Sequence, residues 1–155
     1  MNILQSIKSL FVRSKKPDHT FTIDRKSWVR GEGISFSSLL RTDGKRCCLG
    51  FFCSSLGIPD EELLERGQPS RLRDEVQQKF GLTSSWLFDG RTTAGFQHPS
   101  EESYQLVRYN DTPIDMMTPW CSITKTSVHI ASEEIRERLI QESFGKHNIE
   151  VLFTN

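Results

Sequence analysis

Residues 39–59, LLRTDGKRCCLGFFCSSLGIP, place a charged turn directly before a short apolar segment with a clear end. With a step of 100° per residue, the run from Lys45 to Leu56 gathers its apolar side chains on one side of a helix. These side chains are Cys48, Leu49, Phe52, Cys53 and Leu56. Gly57 lies where a left-handed residue commonly ends a helix, and Pro59 prevents continuation. The pattern therefore predicts a core helix over residues 45–56.

The start of this predicted helix breaks a local rule of helix electrostatics. Helix N-termini carry partial positive charge and favour acidic side chains, yet Lys45 and Arg46 fall in the first turn. Cations beside free backbone N–H groups, with a glycine that allows close approach, are typical of a phosphate or carboxylate site. We therefore predict an anion-binding site made of Arg41, Gly44, Lys45 and Arg46, with Trp28 and Arg30 close by. The alternative is that these cations are solvated and paired with acidic side chains elsewhere.

Charge is divided unevenly along a chain that has no net charge. Residues 1–58 hold 10 Lys and Arg against 4 Asp and Glu, whereas residues 59–155 hold 10 against 16. This balance disfavours a uniformly basic nucleic-acid binder. It fits a molecule with a basic and an acidic face, or one that pairs head to tail with itself, so we expect a homo-oligomer.

Length and composition indicate one folded domain, because 155 residues with 35% hydrophobic content can bury one core but hardly two. In residues 1–16, apolar side chains recur with helical spacing among basic ones, which predicts an amphipathic basic helix. That helix would pack on its own domain or on a second copy, with a partner's groove or an anionic membrane surface as alternatives. Residues 17–155 are predicted to form the single α+β domain.

Capping residues mark two helices in the second part of the chain. Ser100 precedes an acidic first turn that begins at Glu101. Ser132 precedes a helix predicted over residues 133–144, which Gly145 ends. A serine before an acidic turn is a strong N-terminal pattern, so we expect both helices to start at these caps.

Two patterns indicate strands. Ile149, Val151 and Phe153 alternate with polar residues, as in a half-buried strand. Asp89 and Gly90 form a typical hairpin turn dipeptide. The complete pattern predicts a compact, helix-rich α+β domain with a small antiparallel sheet that includes the C-terminal strand.

The cysteines are few and do not have metal-site spacing. No apolar run approaches 18 residues and no secretory leader pattern is visible, so we expect an intracellular protein with reduced thiols. Neighbouring cysteines on a helix diverge by about 100°, unlike the convergent pairs of zinc sites. We therefore expect buried structural thiols, no metal and no cofactor. The cysteines concerned are Cys47, Cys48, Cys53 and Cys121.

Several motifs together carry a family resemblance. They are WVRGEG at 28–33, LRTDGKRCCLGF at 40–51, ND at 110–111, IRER at 135–138 and F-x4-IEV at 144–151. The set resembles a widespread group of small uncharacterised bacteriophage and prophage proteins, and the match around these motifs extends over roughly half the chain. The resemblance implies a phage-encoded protein that acts in the host cytoplasm, and it implies no catalytic activity. Residues 68–103 and the basic N-terminus depart from the pattern, and there we expect a specificity particular to this chain.

Candidate nucleophiles have no base at a spacing that fixes it beside them. Cys47 or Cys121 would need such a base, and the histidines are scattered at His19, His98, His129 and His147. Zinc-protease, phosphate-loop, nucleophile-elbow and dinucleotide motifs are absent from the sequence. A pair of carboxylates among Glu102, Asp111 and Asp115 stays an alternative. We assign no catalytic residue and disfavour an enzyme.

These observations lead to one functional prediction and two alternatives. We predict a non-enzymatic phage protein that antagonises host immunity by sequestering a small anionic nucleotide, such as a second messenger. Cations would hold its phosphate, and an aromatic ring such as Trp86, Tyr109 or Trp120 would stack on its base. The first alternative is an inhibitor or adaptor that binds a host defence protein directly. The second is a small hydrolase or transferase that acts on a nucleotide.

Overall fold

The computed structural model describes residues 16–33, 37–93, 96–120 and 125–155. Its helices are α1 (Cys48–Ser55), α2 (Asp60–Leu63), α3 (Asp74–Lys79), α4 (Glu101–Asp111) and α5 (Glu133–Gly145). Its strands are β1 (His19–Asp24), β2 (Phe88–Thr93), β3 (Phe96–Pro99), β4 (Met116–Met117), β5 (His129–Ile130) and β6 (Ile149–Thr154). The α+β class is therefore confirmed. The helix predicted over residues 1–16 lies outside the described residues apart from Lys16, and so does Cys121.

The strands β1 and β6 pair in parallel, with Phe21 opposite Val151 and Ile23 opposite Phe153. Phe21, Ile23 and Val151 are buried, as expected for alternate positions on one face of a strand. The predicted C-terminal strand is confirmed, but its expected place in an antiparallel sheet is wrong. Alternation identifies the buried face of a strand and contains no information on the direction of its partner. The antiparallel pairs are β2 with β3 and β4 with β5.

The predicted core helix is confirmed in position and is shorter than expected. The helix α1 begins after Cys47 as N-cap and has Leu56 as C-cap. Gly57 adopts φ +86°, and the Ile58 N–H donates to the Cys53 carbonyl at 3.3 Å, as in the predicted C-terminal motif. The end of the helix was therefore predictable from sequence, and its start was not.

The expected placement of Lys45 and Arg46 in the first turn of the helix is wrong. The Arg46 N–H donates to the Ser27 carbonyl at 2.9 Å, and the Arg46 carbonyl accepts from the Val29 N–H at 2.8 Å. This short bridge to the segment after β1 holds the backbone extended as far as Cys47. The helix begins only where the bridge ends.

The chain that leads into α1 also crosses one face of it. A Cβ atom added at Gly50 would lie 1.7 Å from the carbonyl oxygen of Leu39. That distance is far inside van der Waals contact and involves backbone, so only glycine fits at this point. Gly50 therefore fixes how closely residues 38–39 pack on the helix.

Both predicted serine caps are confirmed. Ser100 Oγ accepts from the Ser103 N–H at 3.1 Å at the start of α4, and Ser132 Oγ accepts from the Ile135 N–H at 3.3 Å at the start of α5. These bonds satisfy N–H groups that have no partner within the helix. No helix in the described ranges is both long enough and apolar enough to cross a membrane.

The predicted hairpin exists, but Asp89 and Gly90 are not its turn. Both residues lie within β2, where Gly90 has φ +79°. The pairing with β3 shifts register between Phe88 and Thr92, so the left-handed glycine produces a bulge inside the strand. A dipeptide that favours positive φ predicts an irregularity, and only the pairing decides whether it is a turn or a bulge.

An aromatic cluster connects the parallel strands to the helices. The Phe52 ring of α1 lies 5.5 Å from the Phe21 ring of β1 and 5.3 Å from the Phe144 ring of α5, measured between centroids. Trp86 packs edge-on against Phe144 at 5.5 Å. Aromatic pairs at these separations contribute beyond simple burial, so this cluster sets the relative positions of α1, α5 and the β1–β6 pair.

Candidate functional site

A buried polar cluster around Asn110, in the last turn of α4, joins distant segments of the chain. Asn110 Oδ1 accepts from Trp28 Nε1 at 2.7 Å and from the Cys48 N–H at 3.0 Å. Asn110 Nδ2 donates to the Val29 carbonyl at 2.9 Å and to Asp111 Oδ1 at 2.7 Å. The first helical N–H of α1 is thus bonded to a side chain of the protein itself. An anion could reach that N–H group only by displacing Asn110.

Arg136 completes the cluster from α5, where its side chain is fully buried. Its Nη1 donates to the carbonyls of Tyr109 at 2.5 Å and Asn110 at 2.8 Å, and its Nη2 donates to that of Thr112 at 2.7 Å. Its Nε lies 3.1 Å from Glu133 Oε2. The guanidinium therefore caps the carbonyl end of α4, where the helix dipole favours a cation. Burial lowers the pKa of Arg136, and Glu133 opposes that shift.

This cluster brings residues from four of the separate sequence motifs into contact. Trp28 and Gly31 belong to the first motif, Cys48 to the second, Asn110 to the third and Arg136 to the fourth. The Gly31 N–H also donates to the Asn110 carbonyl at 2.8 Å. A Cβ at Gly31 would lie 3.3 Å from Arg136 Nη2, at a φ of +70° that favours glycine. In this structure, these motif residues together connect the segment after β1 with α1, α4 and α5.

The three predicted anion-binding arginines, Arg30, Arg41 and Arg46, are all paired with carboxylates of the same chain. Arg41 Nη1 lies 2.8 Å from Glu32 Oε2, and its Nη2 lies 3.2 Å from Asp43 Oδ2. Arg46 Nη2 lies 2.6 Å from Asp60 Oδ2. These contacts match the alternative in which the cations are paired with acidic side chains. An anion at this position would compete with those carboxylates.

The other predicted residues occupy different surroundings. Arg30 pairs with Glu133 at 2.9 Å and lies over the Trp28 ring at 4.6 Å from its centroid. Trp28 is buried, Lys45 is exposed, and Gly44 has φ +82° at the tip of a tight turn. The structure places Arg30 over the Trp28 ring and joins Trp28 to Arg46 through the short backbone bridge. Anion binding by this set stays a prediction.

A different part of the surface holds an open polar cavity of about 260 Å³. Arg71 and His98 supply its basic groups, and no carboxylate among the described residues lines it. The lining residues are Gln68, Ser70, Arg71, Thr93, Gln97, His98, Pro99 and Tyr104. Gln68 Oε1 is buried and has no hydrogen-bond partner in the described part of the chain. An atom of this kind is satisfied when a ligand or water supplies a donor.

Three elements build this cavity. Gln68 precedes a short 3₁₀ turn at Pro69–Arg71, and β3 packs against that turn. His98 projects from β3 with its Nε2 2.7 Å from Thr93 Oγ1 of the neighbouring strand. Tyr104 lies in α4 and is 41% exposed. The 3₁₀ turn, the β2–β3 pair and α4 therefore position the polar groups together.

Sequence reasoning did not find this cavity, because its polar residues are ordinary surface types in three separated segments. Gln68, His98 and Tyr104 become neighbours only when β3 folds back beside the 3₁₀ turn. One indirect indication was present. All lining residues except Tyr104 lie within residues 68–103, a region that contains none of the motifs named above.

The described cysteines are not activated nucleophiles. Cys47, Cys48 and Cys53 are free and buried. Burial raises the pKa of Cys47 to about 11, and Asp111 adds to the shift. Burial also raises the pKa values of Cys48 and Cys53. Thiolates are the reactive form, so these thiols act as packing groups. Within the described ranges, no three metal-ligating side chains converge.

Comparisons with known proteins found no relative of this chain. No family model matches the chain, and neither the curated proteins nor the solved structures contain a match. The phage-protein resemblance therefore depends on the motifs themselves.

Proposed function

We propose that this chain is a non-enzymatic binding protein for a small anionic ligand of the nucleotide class, held in the cavity between Gln68 and Tyr104. The observation that carries the proposal is a polar cavity with Arg71 and His98 in its lining and no carboxylate among the described lining residues.

Each polar group of the cavity has a counterpart in a nucleotide. The planar guanidinium of Arg71 suits a phosphate, to which arginine can donate two parallel hydrogen bonds. The amides of Gln68 and Gln97 each provide a donor and an acceptor for the edge of a base. The half-exposed ring of Tyr104 offers a stacking surface.

The size of the cavity limits the ligand. Small-molecule sites commonly enclose about 300–1,000 Å³, and this cavity of about 260 Å³ lies just below that range. It therefore suits one nucleotide unit. A dinucleotide would leave its second unit exposed or would need a second copy of the chain, which agrees with the expected homo-oligomer.

The biological role in this proposal comes from the phage resemblance. A phage protein that binds a nucleotide messenger without turnover lowers its free concentration by mass action and so blunts host immunity in the host cytoplasm. The raised pKa values of the described thiols favour binding over covalent catalysis. Sequestration requires the protein in excess over the messenger.

The test is to purify the full chain from cells with active nucleotide-signalling defences, denature it and identify released nucleotides by mass spectrometry. We expect a stoichiometric nucleotide with the natural chain and its loss in Arg71→Glu. Arg66→Glu is the matched control, because it makes the same charge change at an exposed position outside the cavity lining. It should retain the ligand.

The double variant Arg41→Glu with Arg46→Glu decides between the two locations. If this double variant loses the nucleotide and Arg71→Glu retains it, the binding site lies at the start of α1. A natural chain that releases no nucleotide and co-purifies with a host protein would favour the inhibitor alternative and contradict sequestration. Product that accumulates with time would favour the enzyme alternative.

A further inference from the structure

The segment that follows α4 exposes an unusual amount of apolar surface. Ile114, Met116, Met117 and Trp120 are each more than a third exposed, with Trp120 the most open at 62%. We call these four residues the Met–Trp surface. Methionine adapts its shape to a partner, and Trp and Met are enriched in the cores of protein interfaces. The composition therefore suits contact with another polypeptide.

A cavity of about 200 Å³ opens beside this surface. It is lined by Gly33, Asp111, Thr112, Pro113, Met116, Met117 and Pro119. Met116 and Met117 belong to both the cavity and the Met–Trp surface, so the two form one continuous feature. Its lining is apolar apart from Asp111 and Thr112, which are only 2% and 4% exposed.

Both of these polar residues have a buried oxygen without a hydrogen bond. Asp111 Oδ1 accepts from Asn110, whereas Asp111 Oδ2 and Thr112 Oγ1 have no partner of normal geometry in the described part of the chain. Leaving such groups buried and unpaired costs free energy that a suitable donor would recover. A carboxylate oxygen only accepts, so the missing group must be a hydrogen-bond donor.

The electrostatics of the cavity favour a positively charged donor. Burial raises the pKa of Asp111 to about 6, and the hydrogen bond from Asn110 and the nearby Ser37 hydroxyl lower it only partly. Arg136 is nearby, but its Nη atoms donate to backbone carbonyls of α4 and of the residue after it. Glu32 adds further negative charge. A cation placed against Asp111 would relieve both the missing hydrogen bond and the unbalanced charge.

We propose that the Met–Trp surface docks a partner polypeptide that inserts an arginine or lysine side chain between Met116 and Met117 toward Asp111. The apolar stem of such a side chain matches the Met and Pro lining, and its charged end matches the carboxylate. The exposed Trp120 and Ile114 extend beyond the cavity and would cover residues next to the inserted one. This site is independent of the proposed nucleotide cavity, which shares no lining residue with it.

The first measurement uses the methionine methyl groups as reporters, because the chain has only three methionines. Full-length protein with ¹³C-methyl methionine is titrated with butylguanidinium, and Met116→Leu and Met117→Leu assign the signals. We expect saturable shifts at Met116 and Met117. Butanol, which has the apolar stem without the charge, should produce much weaker changes. Equal responses to both probes would overturn the cation assignment.

The second measurement tests Asp111. Asp111→Asn keeps the size of the side chain and its bond to Asn110 and should weaken butylguanidinium binding about tenfold, as expected for loss of a charged hydrogen bond. Asp115→Asn is the control, because Asp115 is an exposed carboxylate next to the same surface. Equal losses in both variants would overturn the proposal. If Asp111→Asn unfolds, Thr112→Val tests the same cavity, and unchanged binding in a folded Thr112→Val would contradict it.

The third measurement distinguishes a polypeptide from a small cation. A short peptide with one arginine between leucines should bind more tightly than butylguanidinium and should also shift the Trp120 indole signal. Equal affinity of peptide and probe would assign the site to a small cation and overturn docking of a polypeptide. Met116 and Met117 signals that change with protein concentration alone would assign the surface to a second copy and contradict a separate partner.

Discussion

Arg136 shows how one charged side chain can organise a buried region. It is among the largest fully buried side chains of the described residues, and it contacts the last carbonyls of α4. Ile140 and Phe144, one and two turns further along α5, are buried as well. Arg136 itself was not predicted to be buried, because burial of arginine depends on partners that only the folded chain supplies.

Replacing Arg136 should therefore strongly lower the stability of the fold. Arg136→Met keeps an unbranched apolar stem but removes the hydrogen bonds that the guanidinium donates to three carbonyls, and we expect a loss of about 3 kcal/mol or more in unfolding free energy. Arg138→Met is the matched control on the same helix, where the side chain is 66% exposed, and it should change stability by less than about 0.5 kcal/mol. Urea unfolding of both variants measures this. Similar losses would show that the carbonyl contacts contribute little.

Asp111 should make stability depend on pH in the direction opposite to most carboxylates. Burial raises its pKa to about 6 in the folded chain, above its ordinary value of 3.8. Between these values the folded state keeps a proton that the unfolded state has lost, so stability falls as pH rises. We expect Asp111→Asn to gain roughly 2 kcal/mol relative to the natural chain between about pH 4 and pH 7. Urea unfolding across this range checks it, and a difference that does not vary with pH would contradict the raised pKa.

At the scale of elements, helix ends followed local chemistry closely. The serine caps of α4 and α5 and the left-handed Gly57 after α1 were all visible in the sequence. Local hydrogen bonds and backbone sterics decide these features, so neighbouring residues suffice to predict them. The start of α1 differed, because a bridge to residues 27–29 holds Arg46 in extended backbone.

The end of α1 gives a prediction at this scale. Gly57→Val should destabilise the fold by roughly 1 kcal/mol or more, because a β-branched residue is strained at φ +86°. Gly67→Val is the control, since Gly67 does not have positive φ and an added Cβ there has no contact closer than 3.9 Å. Thermal unfolding compares the two. If Gly57→Val leaves the stability unchanged, the helix does not end through a left-handed residue.

At the scale of the whole molecule, the uneven charge of the sequence is partly neutralised within one chain. Arg25 pairs with Glu137, Arg30 with Glu133 and Arg46 with Asp60, so each ion pair joins the basic first part to the acidic second part. The charge division therefore gives no independent reason for head-to-tail pairing of copies. An expected homo-oligomer needs other support.

A charge exchange tests whether these pairs guide the fold. Arg25 forms two hydrogen bonds with Glu137, at 2.6 and 2.8 Å. We expect Arg25→Glu to lower stability through repulsion, and the added Glu137→Arg to recover most of the loss. A double-mutant cycle by urea unfolding measures the coupling. No recovery in the double variant would show that the pair is incidental.

The sequence by itself determined the α+β class, the position of the core helix, the serine caps and the alternation of the last strand. These features depend on residues close together in the chain, whose periodicity and capping act locally. Only the tertiary structure decided the parallel pairing of β1 with β6, the burial of Arg136 and the ion pairs of Arg41 and Arg46. It also formed the Gln68–Tyr104 cavity and the cavity beside Asp111. Each of these joins segments far apart in the chain, and their free energy exists only once the fold brings them into contact.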